Sequence, residues 1–335
     1  MNIGSVSFTS PFFAAPMAGV VDLPMRILCR RFGAGLVYTE MVSAEAIRRG
    51  QKRTARMVTV DPREGPLAVQ LFGTDGTAVA RAAEFAQRRG AVLIDINMGC
   101  PVKKVIRQGA GAALMRDVTV AAGLVAAAKG AVDVPVTAKI RAGWNESSIN
   151  YLDMAHRIRD AGADAICLHP RTATQHFTGR ADWTRVAHLA DSLDIPVVGS
   201  GDINSLDEAR DRIKQTGVAF VMIGRGAMGA PWVFSESGAP RDRTELLDII
   251  LEHCRLAAEY YGESRCVPII RRHVCYYIKG FRGAASFREH LMRTKRYDDM
   301  LTSIRDYLSH REEGDYATGS DGSRGEAGDY IQREG

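Results

Sequence analysis

Ala91-Val92-Leu93-Ile94-Asp95-Ile96-Asn97-Met98-Gly99-Cys100-Pro101 is an apolar run that ends in polar residues, one glycine, one thiol and a proline. A segment apolar on both faces reads as a buried strand of a parallel sheet, here Val92–Ile96. Its last residues then lie on a loop at the carboxyl end of the sheet, where α/β proteins place their chemistry. Taken alone, Cys100 is a small packed side chain in a tight turn, because cysteine is often simply core. Only its neighbours in space can make it more than that.

Seven further short apolar, β-branched runs flank this one: Phe12–Ala15, Leu36–Tyr38, Leu67–Leu71, Val134–Ile140, Ala165–Leu168, Pro196–Gly199 and Ala219–Ile223. Helix-period segments alternate with them at Leu23–Phe32, Thr77–Arg89, Val118–Ala131, Ile149–Ala161, Trp183–Leu193 and, behind the capping Ser205, Leu206–Gln215. Glycine closes several of these helices before the next strand, at Gly33, Gly90, Gly162 and Gly217. Eight strands alternating with helices is the count of an α/β protein of the (β/α)8 TIM-barrel type; a doubly wound sheet is the alternative.

The barrel assignment covers residues 1–234, with Ser235–Asp242 as a linker. From 243 to 311 the pattern becomes helix-period without strand-like runs, as in Leu246, Leu247, Ile250, Leu251 and Cys254, and predicts a small all-helical domain. Residues 312–335 are rich in Gly, Ser, Asp and Glu and are expected to be disordered. With 46% hydrophobic and 25% charged residues and no long apolar run, the chain has no membrane-spanning segment. Met1–Phe8 has no basic n-region or apolar h-region, so the cytoplasm is the expected location. The six cysteines form no C-x-x-C pair, which argues against a structural metal; neither a metal nor an oligomer is expected.

A net charge of +5 conceals local bias. Eight Lys/Arg stand against Glu40 and Glu45 between Arg26 and Arg56, and ten against three glutamates between Arg255 and Arg296. Two separated basic regions suit a long polyanion better than a small acid, although solvated helix faces give similar runs.

In a barrel, the strand ends converge on one rim. They contribute Pro16-Met17-Ala18-Gly19, Glu40, Gln70, Asn97 with Cys100, Lys139 with Arg141, His169 with Arg171, Ser200-Gly201-Asp202 and Gly224-Arg225-Gly226. Paired glycine turns after strands 7 and 8 are the usual barrel phosphate site, with Arg225 to neutralise charge. Lys139 and Gln70 on interior strands suit the pyrimidine edge of a flavin. The plainer alternatives are a buried Lys139–Glu40 ion pair and, for His169, a hydrogen-bonded barrel histidine.

With these residues assembled, the chain resembles the tRNA-dihydrouridine synthases, most closely the B-type bacterial branch. The resemblance rests on Ala15-Pro16-Met17-Ala18-Gly19-Val20-Val21-Asp22, Gln70-Leu71-Phe72-Gly73, Asp95-Ile96-Asn97-Met98-Gly99-Cys100-Pro101, Lys139-Ile140-Arg141-Ala142-Gly143-Trp144, His169-Pro170-Arg171-Thr172, Gly201-Asp202-Ile203 and Met222-Ile223-Gly224-Arg225-Gly226-Ala227. It implies an FMN-bound barrel that reduces the C5–C6 bond of D-loop uridines in tRNA, with NADPH as reductant and Cys100 as the acid that protonates C5. Carried over residue by residue, it implies FMN contacts from Pro16, Met17 and Ala18, from Gln70, Lys139 and His169 around the ring, and from Ser200, Gly201, Asp202, Gly224 and Arg225 around the phosphate. Asn97, Arg141 and Arg171 fall where the family contacts the uridine and nearby phosphates. Two departures stand out: Ser200 replaces a frequent asparagine, and the run Ala173–Phe177 differs from common versions. The rival readings are a flavin barrel acting on a free pyrimidine and a tRNA-binding protein with a vestigial barrel.

Overall fold

The computed structural model describes residues 1–309, so the segment expected to be disordered lies outside the described residues. Eight parallel strands form the centre: β1 (Phe12–Ala14), β2 (Leu36–Tyr38), β3 (Leu67–Phe72), β4 (Leu93–Met98), β5 (Val136–Arg141), β6 (Ala165–His169), β7 (Val197–Ser200) and β8 (Phe220–Ile223). Each pairs with the next, and β8 returns to β1 with Val221 opposite Phe12, so the sheet closes into a (β/α)8 barrel. The doubly wound alternative is excluded by that closure. Strand ends move by a residue or two from the sequence expectation: β5 starts at Val136 rather than Val134 and runs on to Arg141.

Six helices of nine to thirteen residues surround the barrel, α1 (Leu23–Arg31), α2 (Gly76–Arg88), α3 (Val118–Lys129), α4 (Tyr151–Asp160), α5 (Trp183–Ser192) and α6 (Leu206–Thr216), with shorter helical turns at Ala44–Arg48, Lys52–Arg56 and Lys103–Ile106. Asp22, Asp75, Asp117, Asp182 and Ser205 cap five of them by accepting backbone N–H groups of the first turn. Alternate strand residues divide the interior. Ile94, Ile96, Val136, Ala138 and Ile140 pack outward against the helices. Phe13, Leu36, Ala68, Leu93, Ala165 and Phe220 fill the lumen. An N-terminal hairpin (Asn2–Ile3 with Val6–Ser7) brings Ile3 and Phe8 into this inner cluster, where Phe13 stacks on Phe220 at 4.7 Å. The floor is therefore apolar and closed, and the polar side chains lie above it, from Thr137 and Asp95 within the strands up to the carboxyl end.

Four helices follow: α7 (Arg243–Tyr261), α8 (Glu263–Tyr277), α9 (Ala284–Arg293) and α10 (Tyr297–Ser309). Their core, with Ile250, Cys254, Val267, Ile270, Val274, Leu291, Met300 and Ile304, also takes in Ala230 and Trp232 from the turn that ends the barrel. Leu23, Ile27 and Leu28 of α1 pack on Leu256 of α7. The two units thus share apolar surface on the α1 side of the barrel. Among the described residues, no helix is long and apolar enough to cross a membrane.

Candidate active site at the barrel rim

Strand register assembles one half of the rim. Gln70 lies opposite Asp95, Asp95 opposite Thr137, and Asn97 opposite Lys139, all on the inward face. Asn97 Nδ2 donates to Gln70 Oε1 (2.8 Å), Gln70 Nε2 donates to Asp95 Oδ2 (2.7 Å), and Thr137 Oγ1 donates to Asp95 Oδ1 (2.6 Å). At the other end of the chain, Asn97 Oδ1 accepts the N–H groups of Gly99 (3.3 Å) and Cys100 (3.0 Å), which folds the loop back over the strand. Arg141 pins the same loop from the side. Its Nε donates to Gly99 O (2.9 Å), while Nη1 donates to Thr172 O (2.8 Å) and His176 O (2.7 Å). Arg141 and Asn97, expected to face the substrate, also hold the Cys100 loop, Asn97 through Oδ1 and Arg141 through Nε, while Arg141 Nη1 ties the loop after β6.

Electrostatics follows from that burial. Burial pushes the Cys100 thiol above its ordinary value, against a smaller downward pull from the Val102 backbone N–H and then from the charges of Arg141 and Lys139. Burial also raises Asp95, only partly offset by Gln70, Thr137 and Lys139. The His169 imidazole is driven well below its ordinary range, first by burial and then by four cations, Arg141, Lys139, Arg171 and Arg225, and so is neutral. Lys139 is half-buried and makes no salt bridge or side-chain hydrogen bond among the described residues. The alternative partner, Glu40, instead accepts the Gly19 N–H.

The β7–β8 half is organised by Asp202. Arg171, 1% exposed, donates Nη1 and Nη2 to its two oxygens (2.9 and 2.7 Å), Nε to Thr178 O (3.0 Å) and Nη2 also to Gly179 O (2.6 Å). Asp202 further accepts Ala181 N–H (2.8 Å) and Arg225 Nη2 (3.0 Å). Burial would raise this carboxyl, but the Arg171 hydrogen bonds and the charges of Arg171 and Arg225 hold it below its ordinary value. Arg171, read from sequence as a substrate contact, is an internal tie between the β6 and β7 loops. The β8 exit is a short 3-10 turn, Arg225–Ala227, rather than an α-helix. Gly226 is required there, since a Cβ would lie 2.3 Å from Ile203 O. The backbone N–H groups of Gly201, Asp202, Gly224 and Arg225 have no acceptor among the described residues. Ser200 is buried at the end of β7.

Pro16 and Met17 are half-buried and Ala18 exposed, forming the lip beside Gly224. Phe177 was not singled out from sequence. It lies with the guanidinium carbons of Arg225 and Arg141 at 4.9 and 5.5 Å from its ring and His169 at 6.1 Å. An aromatic residue in a loop leaving a basic rim was the available signal. Part of the basic charge is internally paired: Arg31 with Glu252, Arg255 with Glu252 and Glu259, Arg48 and Arg49 with Glu45. Tyr277, Phe281 and Phe287 pack on the helical core, which favours the packing reading of those aromatics.

The family model described as Dihydrouridine synthase (Dus) matches residues 13–311. The chain belongs to the dihydrouridine synthase family. It is 39% identical over 324 residues to tRNA-dihydrouridine synthase B of Pseudomonas aeruginosa, covering 93% of this chain and 97% of that protein. The same identity over 317 residues relates it to tRNA-dihydrouridine synthase B of Xanthomonas campestris pv. campestris, with 92% and 96% covered. Among solved structures it is similar to histamine dehydrogenase from Rhizobium sp. 4-9, with a TM-score of 0.56 and 14% identity over 82% of this chain and 50% of that one. At that identity the likeness concerns the barrel fold alone. Membership accounts for the joint spacing of the strand-end residues, which any barrel would leave unconstrained.

Proposed function

We propose that the chain reduces the C5–C6 bond of D-loop uridines in tRNA, with FMN as bound cofactor and NADPH as its reductant. One arrangement carries the reading: Cys100 and the half-buried Lys139 stand on one side of a rim whose other side offers unpartnered backbone N–H groups beside Arg171 and Arg225, both bonded to Asp202. Those two charges against Asp202 leave a net positive site, which suits a phosphate held mainly by backbone donors. The half-buried Lys139 forms no salt bridge among the described residues and suits the electron-rich edge of a flavin ring. The residues present therefore fit FMN.

Bound and reduced, FMN would supply the hydride for C6 of the uracil. The protein's task is the proton. A thiol raised above its ordinary value is protonated at neutral pH, and Cys100 delivers that proton to C5 from the opposite face. The thiolate left behind is stabilised by the charges of Arg141 and Lys139. Asn97 and Arg141 hold the sulfur where the base arrives, and neutral His169 offers a hydrogen bond without adding charge. The uridine must leave its stack to reach this mouth. Exposed Lys103, Lys104 and Arg107, on the turn directly after the Cys100 loop, are placed to hold the flanking phosphates. The relatives' name, tRNA-dihydrouridine synthase B, supports the tRNA uridine as substrate.

The test is mass mapping of dihydrouridine in tRNA from a deletion strain complemented with wild type or Cys100→Ala. Restoration by wild type alone is expected. Wild-type dihydrouridine from the alanine variant would remove Cys100 as acid, a protein that never takes up FMN would remove the cofactor, and equal turnover of free uridine would remove the RNA.

A further inference from the structure

Three buried side chains of ligand type, none used by the proposed reaction, meet where the barrel touches the helical domain. Asp22 stands at the start of α1, His253 in α7 and His273 in α8; they are 7%, 0% and 3% exposed, and one ligand atom of each lies within 4.8 Å of the others. Each of the first two is oriented by a second group. Tyr277 Oη lies 3.0 Å from His253 Nδ1, and Tyr261 Oη donates to Asp22 Oδ2 at 3.0 Å while Oδ1 accepts the Met25 N–H at 3.1 Å. His253 Nε2 is fully buried and has no partner among the described residues. An imidazole whose Nδ1 is engaged by a hydroxyl and whose Nε2 is left over in a dry interior beside a carboxylate has the arrangement of a metal-bound histidine.

We propose that Asp22, His253 and His273 bind a divalent transition metal of the zinc class, which staples the helical domain to the barrel. Two imidazole nitrogens and one carboxylate oxygen suit zinc, whereas magnesium and calcium prefer oxygen donors throughout. Binding draws the ligand atoms together to the roughly 3.3 Å separation of a tetrahedral set with zinc–nitrogen distances of about 2.0–2.1 Å. The ligands come from positions 22, 253 and 273, so the site forms only when both units are folded and docked. It does not depend on the reaction assigned above.

The full-length protein, purified from zinc-supplemented cells, is analysed for metal content and by X-ray absorption at the zinc edge. About one zinc per chain is expected, with a nitrogen and oxygen shell and imidazole scattering. Chelation lowers the thermal midpoint by several degrees, and added zinc restores it. His273→Gln loses the bound zinc, and Tyr277→Phe, which keeps all three ligands, weakens zinc affinity about tenfold. Substoichiometric zinc in the wild type, with a midpoint indifferent to chelator and to added zinc, overturns the proposal. So does a sulfur shell, which would move the zinc to the buried Cys254 and Cys266 of the same domain.

Discussion

The β3–β5 side of the rim and the β7–β8 side use the same plan, a polar residue at each strand end, but spend their hydrogen bonds in opposite ways. On the first side, side chain bonds to side chain from Thr137 through Asp95, Gln70 and Asn97 to the backbone of Cys100, so the thiol is fixed before any substrate arrives. On the second side the guanidinium groups converge on Asp202, while the backbone N–H groups of Gly201, Asp202, Gly224 and Arg225 keep their capacity. A saturated network suits a group that must act from one position. An unsaturated one suits a group that receives a ligand with many acceptors.

The sharpest way to break this contrast is to remove one group from each side and ask which step fails. Cys100→Ala should cut dihydrouridine formation by about 10²–10⁴-fold, the scale of positioned acid catalysis, while FMN content and its dissociation constant stay unchanged. Arg225→Ala should do the reverse: about 10–100-fold weaker FMN binding, the worth of one charge-assisted contact, with turnover recovered at saturating FMN. If both variants lose FMN equally, the two halves of the rim are one unit and the contrast fails.

Arg141 offers a finer cut, because it both pins the Cys100 loop and places a charge near the thiol. The acid must carry its proton, so turnover falls at alkaline pH as the thiol titrates, above the ordinary cysteine range. Arg141→Met removes a charge that pulls the thiol downward, and the alkaline limb moves to higher pH. Arg141→Lys keeps a cation but not the three contacts to carbonyl oxygens; turnover drops while the limb stays in place. A limb that shifts equally in both variants would show that geometry, not charge, sets the titration.

The barrel was legible because the lumen demands apolar alternation and the exits demand polar or glycine residues, so strand count and rim could both be read from the chain. The roles within the rim were less so. Asn97 and Arg171 have the same appearance in sequence as substrate contacts, and only the register that puts Asn97 beside Gln70, and the loop that folds Arg171 onto Asp202, turns them inward. The cluster of Asp22, His253 and His273 was invisible for a simpler reason: no local spacing links an N-terminal cap to two helices of another domain. Cysteine spacing, the usual signal for a metal, pointed away from it.

The smallest effect tests whether the saturated side carries a cost. Asp95 is completely buried, and burial raises its carboxyl above the unfolded value near ~3.9. A carboxyl raised on folding binds its proton more tightly in the native state, so the stability it lends is present below the unfolded value and is lost as pH rises through the folded one. Asp95→Asn removes that dependence. The amide can still accept from Gln70 Nε2 and can donate to Thr137 Oγ1 if the hydroxyl turns, so the network survives with its direction changed at one link. Thermal midpoints of the variant and wild type should therefore converge at acid pH and separate by a few degrees in the variant's favour toward neutral pH. A difference between variant and wild type that stays constant across pH would mean that Lys139, whose charge opposes the rise at Asp95, offsets the burial in full.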